Sequence, residues 1–90
     1  MIDNVMNENT TSETLQQIQQ VFKLAMGNHV HVDLDTEKDA VLEWDSLNHL
    51  NLIVELENSF DLGLSMQEIE ELNSVKDILK YINARKALKQ

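Results

Sequence analysis

Asp45, Ser46 and His49 place a carboxylate, a hydroxyl and an imidazole within one short stretch of a chain of 90 residues. Together they have the parts of a hydrolytic triad. A working triad also needs a strained elbow, a third group orienting the base and a cleft that excludes water. A short helical chain has little room for such a cleft, so hydrolysis is not the expectation. His49 reads instead as a partly exposed helix residue flanking a loop. His29, His31 and His49 do not converge in sequence as zinc ligands do, and there is no cysteine to complete a set. Asp33, Asp35, Glu37 and Asp39 alternate as the oxygen ligands of a calcium loop do. Yet Lys38 stands where that loop needs its turn glycine, and Trp44 where it needs its bidentate glutamate. No metal site is expected.

Ser46 is the residue on which chemistry converges. A serine after an aspartate can simply cap a helix. This one precedes Leu47 and a long apolar helix, and follows a long acidic loop ending in Trp44. At a helix N-terminus its hydroxyl lies where the dipole and free N–H groups favour an incoming phosphate.

The elements that must hold Ser46 follow from periodicity. Thr10 and Glu13 have the spacing of a capping box, predicting a first helix from Thr10, with residues 1–9 a flexible leader. Leu15, Ile18, Val21, Phe22, Ala25 and Met26 form its buried stripe, Gln16, Gln17, Gln19, Gln20 and Lys23 its wet face, and Gly27 or Asn28 its end. From Asn28 to Asp45 no period wins. Val30, Val32 and Leu34 alternate with polar residues, but a lone strand has no partner here. The segment reads as a long extended loop whose apolar residues plug the core.

A second helix opens at Asp45–Ser46 and runs to about Ser59 or Phe60, with Gly63 marking the turn beyond. Its apolar face is read as Leu47, Leu50, Ile53, Val54 and Phe60, widened by Leu52 and Leu56, with Glu57 at the edge. Ser65 and Glu68 form another capping box, opening a short third helix through Ile69 and Leu72. Ser74 and Asp77 open the fourth, with Val75, Ile78, Leu79, Ile82 and Tyr81 inward. The expected fold is all-α, a small asymmetric four-helix bundle with a long first loop and a short third helix, spanning residues 10–85. Residues 86–90 read as a basic, frayed tail.

Charge narrows the partners. The net charge is −9, with fifteen acids in residues 1–75 against only Lys23 and Lys38. Such a body repels phosphate backbones, so no nucleic acid is expected, and basic protein surfaces are the natural partners. The leader has neither a basic start nor an apolar core, and no apolar run is long enough to span a membrane. The expectation is a cytoplasmic monomer.

The run from Trp44 through Asp45, Ser46 and Leu47, continuing NHLNLIVELENSFDLGLS to Ser65, resembles the acyl carrier proteins. The resemblance extends to SVKDILKYI at residues 74–82 and covers roughly residues 12–84. Asp45-Ser46-Leu47 matches the family's Asp-Ser-Leu, Glu57 to Phe60 its Glu-x-x-Phe, and Ser74-Val75 the opening of its fourth helix. The resemblance implies a protein that is modified rather than catalytic. Ser46 would receive 4'-phosphopantetheine from coenzyme A through a phosphopantetheinyl transferase, and acyl groups would ride as thioesters on that arm. The missing cysteine fits an imported thiol. Asp45, Leu47, Glu55 and Glu57, with Glu43 beside them, would meet the transferase and the acyl-loading, condensing or transferring enzymes through basic docking patches. Leu50, Val54, Leu72 and Ile78 would line a space shielding the acyl chain. Where fatty-acid carriers place acids two and five residues after the serine, this chain has Asn48 and Asn51, and it lacks the upstream glycine. Those departures open a specialised pathway beside fatty-acid synthesis. The alternative is an acidic helical interaction module with no covalent cofactor.

Overall fold

The computed structural model describes the backbone of residues 2–88 and the side chains of residues 12–85. Four α-helices follow one another: α1 (Ile2–Met26), α2 (Ser46–Phe60), α3 (Met66–Glu71) and α4 (Val75–Leu88). Among the described residues there is no strand, and the expected all-α bundle with a long first loop and a short third helix is what forms.

Two ends differ from expectation. α1 already runs at Ile2, so the Thr10–Glu13 pair lies inside a helix rather than at its start. A capping-box sequence fixes a terminus only when the preceding residues favour leaving the helix, and Asn4–Asn9 do not break it. The side chains of Thr10 and the leader lie outside the described residues. α4 likewise continues through Leu88, past the point where fraying was expected, while Lys89 and Gln90 lie outside the described residues.

Gly27 ends α1 for a concrete reason. Its φ is +117°, and an added Cβ would stand 2.8 Å from the His29 ring. At the far end of α2 the left-handed residue is Asp61, at φ 54°, ψ 50°, not Gly63. Its N–H donates to the Glu57 carbonyl.

The core is one cluster. Ile18, Val21, Phe22 and Met26 of α1 meet Leu52, Ile53 and Leu56 of α2 and Val75, Ile78, Leu79 and Ile82 of α4. Thr14 is buried with them, which the apolar pattern did not anticipate. The loop supplies Val30, Val32 and Trp44 to the same core, with Leu34 half-buried against it. The plugging role is thus confirmed, and Gln19, assigned to the wet face, turns out to hold the plug: its amide donates to the Val32 carbonyl at 2.9 Å.

The loop is anchored at a second point. Lys38 N–H donates to the Asn73 carbonyl (2.9 Å) and Val75 N–H to the Thr36 carbonyl (3.0 Å), around a single bridge between Glu37 and Ser74. In its acidic part, Asp33 Oδ1 accepts from Asp35 N–H and the Thr36 hydroxyl, so this carboxylate shapes a turn. No three His, Asp or Glu residues converge as a metal cluster among the described residues.

Candidate functional site

The site begins with a cap. Asp45 is the N-cap of α2, extended at φ −96°, and its carboxylate accepts from Asn48 N–H at 2.8 Å. Ser46 is therefore the first helical residue, not the cap. Its hydroxyl is exposed.

α2 is rotated relative to the apolar face read from sequence. The buried residues are His49, Leu52, Ile53 and Leu56. Leu50 and Val54, both expected to shield an acyl chain, are each 53% exposed; Leu72 and Ile78 are buried. Leu47 (69% exposed), Leu50 and Val54 form an outward strip starting beside Ser46. The apolar residues of α2 surround more of the helix than one face, and the burial of His49 decides the rotation.

His49 corrects the sequence reading most sharply. It is only 7% exposed. Trp44 Nε1–H donates to its Nδ1 at 2.8 Å, and its Nε2 lies 2.8 Å from the Ile69 carbonyl. Both contacts together require the neutral tautomer with the proton on Nε2. Ile69 sits near the C-terminal end of α3, where its carbonyl already accepts from Leu72 N–H at 3.3 Å, so His49 joins α2 to α3 as a second donor to that oxygen. Trp44 packs edge-on against Phe22, ring centroids 4.9 Å apart. The departure at Asn48 also has a local use: its side-chain amide donates to the Glu43 carbonyl at 2.8 Å, tying the loop to the head of α2.

Beside Ser46 lies an open groove of about 320 Å³. Ser46, His49 and Leu50 form one wall, Met66, Ile69 and Glu70 the other, with Lys38 and Asn73 at its margin. Met66 is 71% exposed, continuing the apolar strip of α2.

The acids nominated for partner contact are largely engaged within the chain. Asp45 caps α2. Glu57 turns to accept from Leu64 N–H at 3.3 Å. Glu43 lies 2.8 Å from His29 Nε2, and its own backbone N–H together with the His29 ring holds its carboxyl below the usual range. Glu55 is half-buried on α2. The outward face near Ser46 is apolar and amide-rich.

α3 is held at its other end by the Ser65–Glu68 capping box, present with both bonds. The Ser65 N–H draws the Glu68 carboxyl below its ordinary value. Arg85 closes the region, donating to the Gly63 carbonyl (3.0 Å) and the Tyr81 hydroxyl, with Glu68 3.6 Å away. Burial raises the Tyr81 hydroxyl.

A family described as "Phosphopantetheine attachment site" matches residues 15–82, from the second half of α1 into α4, with the groove and Ser46 inside that span. The chain belongs to this acyl carrier family. Among its relatives, an acyl carrier protein of Phytoplasma mali (strain AT) is 34% identical over 55 residues, 61% of this chain and 63% of that protein. One of Chlamydia felis (strain Fe/C-56) is 43% identical over 44 residues, 49% of this chain and 56% of that one. The matched segments thus span less than two thirds of these relatives. The solution structure of a holo acyl carrier protein from Geobacter metallireducens superposes with a TM-score of 0.73 at 27% identity, covering 84% of this chain and 88% of that one. The family resemblance and the bundle expected from sequence both hold. No described helix of this carrier-family chain is long and apolar enough to cross a membrane.

Proposed function

We propose that the chain carries acyl groups as thioesters on a 4'-phosphopantetheine arm attached through Ser46, passing them between enzymes of a biosynthetic pathway. The observation that carries this reading is an exposed serine hydroxyl at the first turn of α2, opening onto a groove, inside the segment that matches the attachment family. The residues fit the group. A phosphodiester at Ser46 would meet the positive end of the α2 dipole, and Lys38 lines the same groove. The arm supplies a thiol, which a chain without cysteine lacks.

On this reading the chain is not an enzyme but the substrate of a phosphopantetheinyl transferase. Attachment replaces the Ser46 Oγ–H bond by Oγ–P and releases adenosine 3',5'-bisphosphate from coenzyme A. The chain would work where coenzyme A and the transferase are found, in the cytoplasm. Its contribution is to present Ser46 at a rigid helix end and to offer partners the strip of Leu47, Leu50, Val54 and Met66. That strip supports partners with an apolar contact surface, while the acidic body steers basic ones at longer range. Weak docking suits a shuttle, because the effective concentration supplied by a tether does much of the work.

Intact mass after incubation with coenzyme A, magnesium and a broad-specificity transferase tests the proposal. One phosphopantetheine is expected on the wild type and none on Ser46→Ala. Failure with two unrelated transferases, on a folded sample, would instead favour the interaction module that uses the same exposed strip without a cofactor.

A further inference from the structure

The contacts from Trp44 through His49 to Ile69 play no part in attachment, yet they stand at the base of the groove that starts at Ser46. The inward route from this groove to the core runs between α2 and α3. His49 spans that seam through its bond to the Ile69 carbonyl, and the buried Trp44 indole stands behind it against Phe22. A chain passing inward would have to displace the imidazole. That would leave the buried indole N–H of Trp44 without its acceptor.

Resting on the carrier reading, we infer that His49 is a positioning residue that latches α3 to α2, so that cargo lies along the groove and not in the core. The groove suits a short or polar acyl group better than a long alkyl chain. Leu50, Met66 and Ile69 offer it apolar contact, while Lys38, Glu70 and Asn73 offer charge, donors and acceptors. A long alkyl chain would find no continuous apolar channel past the latch.

The test loads wild type, His49→Ala, His49→Gln and Trp44→Phe with pantetheine, butanoyl-, octanoyl- and dodecanoyl-pantetheine from the corresponding coenzyme A thioesters. Intact mass verifies each product. Methyl resonances of Leu52, Leu56 and Ile78 and the melting temperature are then read. In the wild type these should not change with acyl length. In His49→Ala and Trp44→Phe the core methyls should shift progressively with length and the melting temperature rise, because a chain bound only by the folded state stabilises it. His49→Gln retains an amide donor and acceptor and should restore exclusion. Core-methyl shifts and a length-dependent melting temperature in the wild type would overturn the inference, and so would length-independent behaviour in every variant. Failure of Ser46 to load at all is a different result, and it would strike the carrier reading itself.

Discussion

At the scale of single residues, Asp45 and Ser46 divide two tasks that sequence spacing alone leaves mixed. Asp45 holds the end of α2 through Asn48 N–H, while Ser46 faces out. Asp45→Ala should therefore cost about 0.5–2 kcal/mol of stability in urea unfolding, as lost caps do. Ser46→Ala should change stability by less than about 0.5 kcal/mol while abolishing phosphopantetheine loading. A large loss of stability in the serine variant would contradict this division. His49 belongs to another class. His49→Ala leaves the Trp44 indole N–H buried without its acceptor, so a loss of about 1–3 kcal/mol is expected from the same measurement. On these expectations His49, three residues on from the serine proposed for attachment, contributes more to the fold than Ser46 does.

At the scale of elements, the starts of α3 and α4 were the most legible ends, because caps are local chemistry, whereas the Thr10–Glu13 pair lies inside α1 and Asp61, not Gly63, ends α2. Ser65 with Glu68 and Ser74 with Asp77 marked α3 and α4, and the observed bonds sit on those residues. The orientation of α2 was not legible. Leu47, Leu50, Leu52, Ile53, Val54 and Leu56 leave no single apolar stripe, and choosing among faces depends on a histidine whose partners come from the loop and from α3. Ser46 could be nominated from Asp-Ser-Leu, whereas the Trp44–His49 bond joins residues whose pairing no periodicity reveals.

The Glu68 carboxyl gives α3 an acid-sensitive end. Its folded-state value is depressed, chiefly by the Ser65 N–H, so its stabilisation is present above the unfolded carboxylate range and fades as pH falls through the folded value. Glu68→Gln should show a shallower loss of melting temperature between neutral and acid pH than the wild type. Identical slopes would mean that the capping box contributes nothing to acid lability. At the end of α1, Gly27→Ala should destabilise by about 1 kcal/mol or more, since a positive φ and the His29 ring both oppose a Cβ.

At the scale of the whole molecule, charge repulsion acts on a small core. Fifteen acids in the first 75 residues face few local bases, and several of the acids near Ser46 are already engaged within the chain. Added sodium chloride should raise the melting temperature by screening the excess negative charge. Superimposable melts at low and moderate ionic strength would show that this repulsion is too diffuse to matter.

The anchoring of the loop at residues 36–38 to residues 73–75 has a kinetic consequence. These hydrogen bonds close a long stretch of chain containing all of α2 and α3, so their entropy cost falls due before the contacts are complete. The loop should consolidate after the rate-limiting barrier, once α2 has packed on α1 and the α3–α4 junction exists. Thr36→Gly should then speed unfolding while leaving the folding rate nearly unchanged, giving a φ-value near zero. A matching fall in the folding rate would place the loop in the nucleus, and the surroundings of Ser46 among the first parts of the molecule to form.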